Sequence, residues 1–162
     1  MLTGKESSLH LRVMLKAAPI IPVLVVRDVA HALPLAESLV SGGLPVVEVT
    51  LRTPVAIDVI KAMGSVAGCV VGVGTLLSDD DVAAAVDAGA KFGVSPGTTE
   101  KLLTSCERHG LPLLGGVATG SEMMRLHERG YDVAKFFPAE AAGGAPAVEA
   151  VSGPLPEFDC GP

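Results

Sequence analysis

Six short apolar segments recur along the chain at a nearly constant interval, and each is followed by a stretch with helical spacing. Near-continuous apolar strands that alternate with helices are typical of a parallel sheet covered by helices. The even interval and the short connections favour a class α/β fold of the (β/α)8 TIM-barrel type over a doubly wound sheet. The segment centres are Val23, Val47, Val71, Phe92, Leu113 and Val133, which are spaced by 24, 24, 21, 21 and 20 residues.

Local signals predict where the helices begin. Residues 1–18 are predicted to form an N-terminal amphipathic helix, with Leu9 and Val13 on its apolar side. Thr53 followed by Pro54 is typical of a helix cap and a first helical residue. The other predicted helix starts are at Ser78, Thr99 and Thr119, the last as a capping box with Glu122.

The length and composition fit one domain spanning residues 1–162. The chain has 162 residues, of which 49% are hydrophobic, and this supports one sizeable core. An eight-unit barrel typically needs about 250 residues, or about 200 at the low end. Six β/α units are recognisable, with part of a seventh near 156–160. We therefore expect an incomplete barrel whose last units are missing after about residue 160. Its unpaired strand edges should favour oligomers or aggregation.

Charge and cysteine usage narrow the classes of function. The formal net charge is −6 with no basic cluster, which argues against nucleic-acid and anionic-membrane partners. The longest apolar run, at 19–26, is too short to span a bilayer. Cys69, Cys106 and Cys160 form no CxxC pair, so reduced thiols and a cytoplasmic location are expected.

Lys135 is a charged residue in the middle of the sixth predicted strand. Side chains alternate along a strand, so Lys135 shares one face with Val133 and Phe137. If both faces are buried, desolvation favours the neutral amine, which is a nucleophile that forms Schiff bases with carbonyl substrates. The alternative is a strand-end lysine whose amine extends into water.

The second predicted strand carries three polar residues on one face. Glu48, Thr50 and Arg52 alternate with apolar residues, and polar groups inside a sheet must serve one another or a ligand. Glu48 suits proton transfer, and the planar guanidinium of Arg52 suits a carboxylate ligand. The alternative is a buried ion pair between Glu48 and Arg52.

The third and fourth predicted strands both end in glycine-containing segments. Gly72 and Gly74 are not a dinucleotide-binding fingerprint, because Leu77 stands where the third glycine would be. They predict instead a place where a ligand approaches the backbone. Thr75, which alternation places on the face of Val71 and Val73, would offer its hydroxyl there. The segment Ser95–Gly97 predicts a turn, with a pocket wall as the alternative.

No metal or cofactor site is predicted. Three consecutive acidic residues, Asp79 to Asp81, fall in the first turn of a predicted helix, where they complement the helix dipole. The histidines all fall on predicted helices and form no HxxxH pair; they are His10, His31, His109 and His127.

Four of these motifs together resemble one enzyme family, the 2-keto-3-deoxy-6-phosphogluconate (KDPG) and 4-hydroxy-2-oxoglutarate (KHG) aldolases. Their order and spacing match that family between about Pro22 and Pro154. The motifs are E-V-T-L-R-T (Glu48–Thr53), G-V-G-T (Gly72–Thr75), S-P-G (Ser95–Gly97) and K-F-F-P-A-E (Lys135–Glu140).

The resemblance implies a class I aldolase, a lyase that needs no metal and is usually a homotrimer. It would cleave KDPG to pyruvate and glyceraldehyde 3-phosphate in the Entner-Doudoroff pathway of carbohydrate metabolism, and KHG to pyruvate and glyoxylate. Lys135 then matches the Schiff-base lysine and Glu48 the acid–base carboxylate. Arg52 and Thr75 match the groups that hold the carboxylate of the 2-keto acid. The residues that match the pocket lining are Pro96 and Phe137.

Two other hypotheses remain open. One is a catalytically silent barrel remnant that acts only by oligomerising or by binding a partner. The other is a metal-dependent aldolase or isomerase on the same fold, which the scattered histidines disfavour. In the family, strand eight and the phosphate-binding turns follow the segment that ends at Pro154. We therefore expect cleavage of a phosphorylated substrate to be far slower than in a full-length relative.

Overall fold

Seven parallel strands form one curled sheet in which each strand pairs with the next one along the chain. The computed structural model describes residues 1–18 and 20–161. The strands are β1 (Val23–Leu24), β2 (Val46–Thr50), β3 (Val70–Gly74), β4 (Gly93–Val94), β5 (Leu113–Val117), β6 (Val133–Phe136) and β7 (Asp159–Gly161).

Seven α-helices alternate with the strands in the described part of the chain, and a short 3-10 turn at Val29–His31 precedes the second of them. This alternation confirms the predicted α/β fold of the TIM-barrel type, and the strand predicted near 156–160 is present as β7. The helices are α1 (Gly4–Ala17), α2 (Ala32–Ser41), α3 (Ala56–Met63), α4 (Asp79–Asp87), α5 (Glu100–His109), α6 (Gly120–Glu128) and α7 (Gly144–Ser152). No helix in residues 1–18 or 20–161 has the length and apolar character needed to cross a bilayer.

The two faces of the sheet pack into two separate apolar clusters. Val47 and Val49 of β2 belong to the larger cluster, which also contains buried residues of the surrounding helices. Val46 and Val133 belong to the smaller cluster, together with Phe92 beside β4. Side chains of opposite parity on one strand therefore point to opposite faces, as the alternation predicts. The face that carries Val46 also carries Glu48, and that of Val133 also carries Lys135.

Helix α1 packs across the N-terminal ends of the strands, but not on the predicted side. Leu9 and Val13 are 61% and 64% exposed, whereas Leu11 is buried in the smaller apolar cluster, which lies inside the curled sheet and is called the inner cluster below. The buried side also carries two serines: Ser7 Oγ accepts a hydrogen bond from the Leu113 N–H, and Ser8 Oγ accepts one from the Asp132 N–H, each at 3.0 Å. The prediction failed because the side of α1 that faces the sheet carries these two serines, which bond to backbone N–H groups, and is therefore not the most apolar side of the helix.

The start of α3 also differs from the prediction. The helix begins at Ala56 and has no side-chain cap, so Thr53 and Pro54 are not its cap and first residue. The Thr53 hydroxyl instead donates a 2.8 Å hydrogen bond to the Val26 carbonyl, which ties the connection after β2 to the end of β1. The predicted starts at Ser78, Thr99 and Thr119 are confirmed as N-caps.

Strand β1 is shorter and more exposed than its apolar sequence suggests. The predicted strand at 22–26 is reduced to Val23–Leu24, and Val23 is 51% exposed. Among the described residues β1 pairs with β2 alone, so its other edge has no strand against it. An apolar sequence therefore predicted a strand here but not its burial.

Gly4 lets the start of α1 approach the connection before β6. A Cβ at Gly4 would lie 2.5 Å from the Arg129 carbonyl oxygen and 2.7 Å from Tyr131 Cδ2. We expect Gly4→Ala to lower the free energy of unfolding by about 1–3 kcal/mol, as overpacking typically does. Urea unfolding would measure this change.

Gly120→Ala is the matched control for that variant. Gly120 also opens a helix behind a capping threonine, and a Cβ there meets nothing within 4 Å. Its stability should be unchanged or slightly raised, because Ala is the better helix former. Equal effects of the two substitutions would show that the close approach at Gly4 contributes nothing.

Candidate active site

Glu48 and Lys135 meet inside the curled sheet, although they come from strands that are not neighbours. Lys135 Nζ of β6 lies 3.7 Å from Glu48 Oε2 of β2. At this distance the two groups form an ion pair rather than a direct hydrogen bond. The side chains are 20% and 6% exposed, so the amine faces the carboxylate instead of extending into water. The alternative interpretation, an ion pair between Glu48 and Arg52, is not found among the described residues.

Both groups line a cavity of about 380 Å³ whose other walls are mainly apolar. Phe92, Val94 and Leu114 contribute side chains from the inner face of the sheet, and Leu15 closes the cavity from α1. A concave, mostly apolar site with a few convergent polar groups is typical of small-molecule binding. The two ionisable groups therefore face a cavity of the kind that binds organic molecules, but Arg52, Thr75, Pro96 and Phe137 are not among the residues that line it.

Burial raises the pKa of the Glu48 carboxyl above its usual value of 4.5. The nearby positive charges of Lys135 and Arg52 act in the opposite direction and are outweighed by desolvation. Between the unfolded and folded pKa values the folded chain binds the extra proton. The contribution of Glu48 to stability therefore falls as the pH rises through that interval. A carboxyl with a raised pKa is suited to both donating and accepting a proton.

Arg52 and Thr75 form a second polar pair where β2 and β3 end. Arg52 Nε donates a hydrogen bond to Thr75 Oγ1 at 3.3 Å, and its terminal nitrogens make no hydrogen bond to any described residue. Strand alternation predicted that Thr75 would share the face of Val71 and Val73. Thr75 instead has a φ of 64°, in the left-handed region, and this turn allows its hydroxyl to reach Arg52.

The Phe137 ring and the turn that contains Pro96 both lie near Lys135. The Phe137 ring centroid is 5.6 Å from Lys135 Nζ, and Phe137 directly follows the end of β6. Pro96 is exposed, and its carbonyl packs so closely on Gly116 that a Cβ at Gly116 would overlap it. Gly116 is the strand partner of Lys135, so the turn at Ser95–Gly97 lies beside the lysine.

The glycines of β3 do not serve the role that was predicted for them. A Cβ at Gly72 would overlap the ring of Phe92, and one at Gly74 would overlap Glu48 Oε1. Protein side chains, rather than a ligand, therefore occupy the space beside these glycines. Of the two glycines that contact the site, Gly116 was not singled out from the sequence, and Gly74 was assigned a different role. Their signal is parity, since both fall at inward-facing strand positions.

The acidic and histidine residues form no alternative centre. Among residues 1–18 and 20–161 no three His, Cys, Asp or Glu side chains cluster as metal ligands would. Asp81 completes the capping box of α4 with Ser78, and Asp79 accepts hydrogen bonds from Ser105 and Arg108 of α5.

Comparison with known proteins places these residues in a family. The family model described as KDPG and KHG aldolase matches residues 11–162. The chain is 47% identical over 141 residues to the 2-dehydro-3-deoxy-phosphogluconate aldolase of Pseudoalteromonas atlantica, covering 86% of this chain and 66% of the relative. It is 45% identical over 143 residues to the KHG/KDPG aldolase of Escherichia coli K12, covering 88% and 67%. The chain therefore spans about two thirds of the length of these curated relatives.

Solved structures agree with the sequence comparison. The KDPG aldolase of Zymomonas mobilis ZM4, crystallised with 3-phosphoglycerate, matches with a TM-score of 0.89 and 44% identity, over 92% of this chain and 71% of that one. The KDPG aldolase of Legionella pneumophila, with pyruvate captured as a covalent carbinolamine, matches with a TM-score of 0.85 and 44% identity, over 89% and 70%.

The charge of Lys135 lowers the pKa of the Glu48 carboxyl, so removing that charge should raise it. We expect Lys135→Met to raise the pKa of Glu48 further above 4.5. A pH titration by ¹³C NMR of glutamate-labelled protein would measure the change, with the Glu48 resonance assigned by its loss in Glu48→Gln. Lys91→Met, an exposed lysine before β4, is the control and should leave the titration unchanged. A Glu48 pKa that is unchanged or lower in Lys135→Met would refute the coupling.

Proposed function

The chain belongs to the family of KDPG and KHG aldolases, and we propose that it is a class I aldolase whose Schiff-base lysine is Lys135. The proposed reaction cleaves 2-keto-3-deoxy-6-phosphogluconate to pyruvate and glyceraldehyde 3-phosphate. One observation carries the proposal. The Lys135 amine lies 3.7 Å from the Glu48 carboxyl, whose pKa is raised, and both groups line a largely apolar cavity.

In the first half of the proposed reaction a proton passes from the Lys135 ammonium to Glu48. The neutral Nζ then attacks the C2 ketone of the substrate, and the resulting carbinolamine lies within reach of Glu48 Oε2. Glu48 gives its proton to the departing C2 hydroxyl, which leaves as water, and an iminium links C2 to Lys135. A general acid must lie about 2.6–3.2 Å from the group it protonates. The 3.7 Å separation of Nζ and Oε2 is compatible with such a position.

In the second half Glu48, now a carboxylate, takes the proton of the C4 hydroxyl. The C3–C4 bond breaks, its electron pair moves toward the iminium nitrogen, and C4 leaves as the aldehyde. Glu48 returns its proton to C3 of the enamine, and water hydrolyses the imine to release pyruvate. One carboxyl serves every proton transfer, which requires a pKa that is not far from the working pH.

Four further residues are assigned to substrate binding. Arg52 and Thr75 would hold the carboxylate of the 2-keto acid, since the terminal nitrogens of Arg52 are free to donate bidentate hydrogen bonds. Phe137 and Pro96 would form walls near Lys135, a role that agrees with the positions of the Phe137 ring and of the turn at Ser95–Gly97.

Family membership alone supports the finer assignments. By that analogy the chain would also cleave KHG to pyruvate and glyoxylate, and would act in the Entner-Doudoroff pathway as a cytoplasmic homotrimer. Its 2-keto acid substrate would be its small-molecule partner, and no metal or other cofactor would take part in the chemistry. The solved relative that holds pyruvate as a carbinolamine supports the same covalent chemistry in this chain.

Pyruvate with borohydride should add one covalent adduct to the chain, at Lys135, because borohydride reduces the imine to a stable secondary amine. Peptide mapping by mass spectrometry would locate the adduct. Lys135→Met should abolish it, whereas Lys91→Met, at an exposed lysine, should not. An adduct at Lys16, Lys61, Lys91 or Lys101 instead would refute the assignment, and no adduct at all would favour the silent barrel.

Glu48→Gln should slow exchange of the pyruvate methyl protons with solvent by about 10²–10⁴-fold, the usual contribution of a general acid–base group. Glutamine keeps the shape of the side chain but cannot accept and return the C3 proton. Loss of the ¹H methyl signal in D₂O would measure the exchange rate. Adduct formation at Lys135 should persist at a lower rate, and a change in exchange of less than about threefold would rule out Glu48 as the main acid–base group.

A further inference from the structure

Strand β3 carries two glycines at inward-facing positions, and the mechanism uses neither of them. In the register of β2 with β3, Gly72 is paired with Glu48 and Gly74 with Thr50. Glycine in a strand interior weakens the strand and often marks a close approach of another group. Gly72 has an ordinary packing explanation, because the ring of Phe92 fills the space beside it. Gly74 has a different neighbour.

The carboxyl end of Glu48 occupies the space that a side chain at Gly74 would take. A Cβ on Gly74 would overlap Glu48 Oε1 and would lie 2.7 Å from its Cδ and 2.8 Å from its Cγ. Glu48 therefore leans diagonally across β3 toward the C-terminal end of the sheet, where a long side chain can reach the residue two places beyond its strand partner.

The two oxygens of this carboxyl meet different partners. Oε1 packs against the backbone of Gly74, and Oε2 lies 3.7 Å from Lys135 Nζ. We propose that Gly74 is a positioning residue whose missing side chain leaves the space in which the Glu48 carboxylate is held within reach of Lys135. Only its expected effect on reaction rates rests on the proposed aldolase function; the position of the carboxylate does not.

A methyl group at this position should move the carboxylate without breaking the fold. All three of the atoms nearest to the added Cβ belong to the flexible end of Glu48, and none of them is backbone. The side chain can yield by rotating, but it then leaves the position beside Lys135. Gly74 is in the extended strand, and its φ does not fall in the left-handed region, so alanine can adopt its backbone conformation.

The first experiment measures the position of the carboxylate independently of any enzymatic activity. The Lys135→Met substitution shifts the Glu48 pKa in proportion to the coupling between the two groups. We expect that shift, read by ¹³C NMR, to be clearly smaller in the Gly74→Ala background than in the unmodified chain. Gly120→Ala is the control, and it should leave the shift unchanged, because a Cβ there meets nothing within 4 Å. An undiminished shift in Gly74→Ala would overturn the proposal.

The second experiment uses exchange of the pyruvate methyl protons. Gly74→Ala should slow exchange by at least about tenfold, approaching the 10²–10⁴-fold typical of losing an acid–base group. In a Glu48→Gln background, Gly74→Ala should slow exchange by less than about a further threefold. The effects of two substitutions that act through the same group do not add. Fully additive losses would overturn the proposal. A smaller pKa shift in a chain that catalyses no exchange would support the positioning role and refute the aldolase function.

A third variant covers the case in which Gly74→Ala is destabilised. This variant combines Gly74→Ala with Glu48→Asp. The second substitution removes one methylene from the side chain that the added methyl group would crowd. The double variant should recover the urea midpoint that Gly74→Ala loses. Failure to recover would show that the added methyl conflicts with something other than Glu48, and this result would also overturn the proposal.

Discussion

The ion pair of Glu48 and Lys135 is the interaction on which the arrangement of the site depends. Removing two charges from water is unfavourable unless each faces a partner, and here each charge is the other's counterion. The pair also joins β2 to β6, which lie four positions apart in the sheet order. Only a sheet that curls back on itself brings these strands within 3.7 Å at their side-chain tips. The ion pair, and the chemistry that depends on it, therefore require the curvature of the sheet.

Much of the fold could be predicted because it depends on short-range patterns. Apolar runs at an even interval specify strands, and Ser78, Thr99 and Thr119 specify helix starts, since a cap satisfies N–H groups of its own helix. Thr53 failed as a predicted cap because its hydroxyl bonds to Val26, which is distant in sequence. The prediction of which side of α1 is buried failed for the same reason, because its serines bond to backbone N–H groups far along the chain.

The site shows the same division between local and distant effects. Lys135 and Glu48 were recognisable because a charged residue within an apolar strand needs a reason. Parity grouped each of them with the residues on its own face, and the structure shows that both faces point into the sheet interior. The bond between Arg52 and Thr75 could not be predicted, since it depends on a left-handed turn at a β-branched residue. Such a conformation costs about 1–3 kcal/mol and persists only where the surrounding structure imposes it. Alternation, which assumes an extended backbone, placed Thr75 on the wrong face.

Helix α1 links the apolar packing to the electrostatics of the site. It lies at the opposite end of the strands from Arg52 and Thr75, and its Leu11 joins the inner cluster beneath the cavity. Leu15 forms part of the cavity wall that also contains Glu48 and Lys135. Because desolvation is the main cause of the raised Glu48 pKa, the residues that exclude water from below help to set it. Two serines of α1 contribute to this packing, because Ser7 and Ser8 accept hydrogen bonds from the Leu113 and Asp132 N–H groups where the helix covers this end of the sheet.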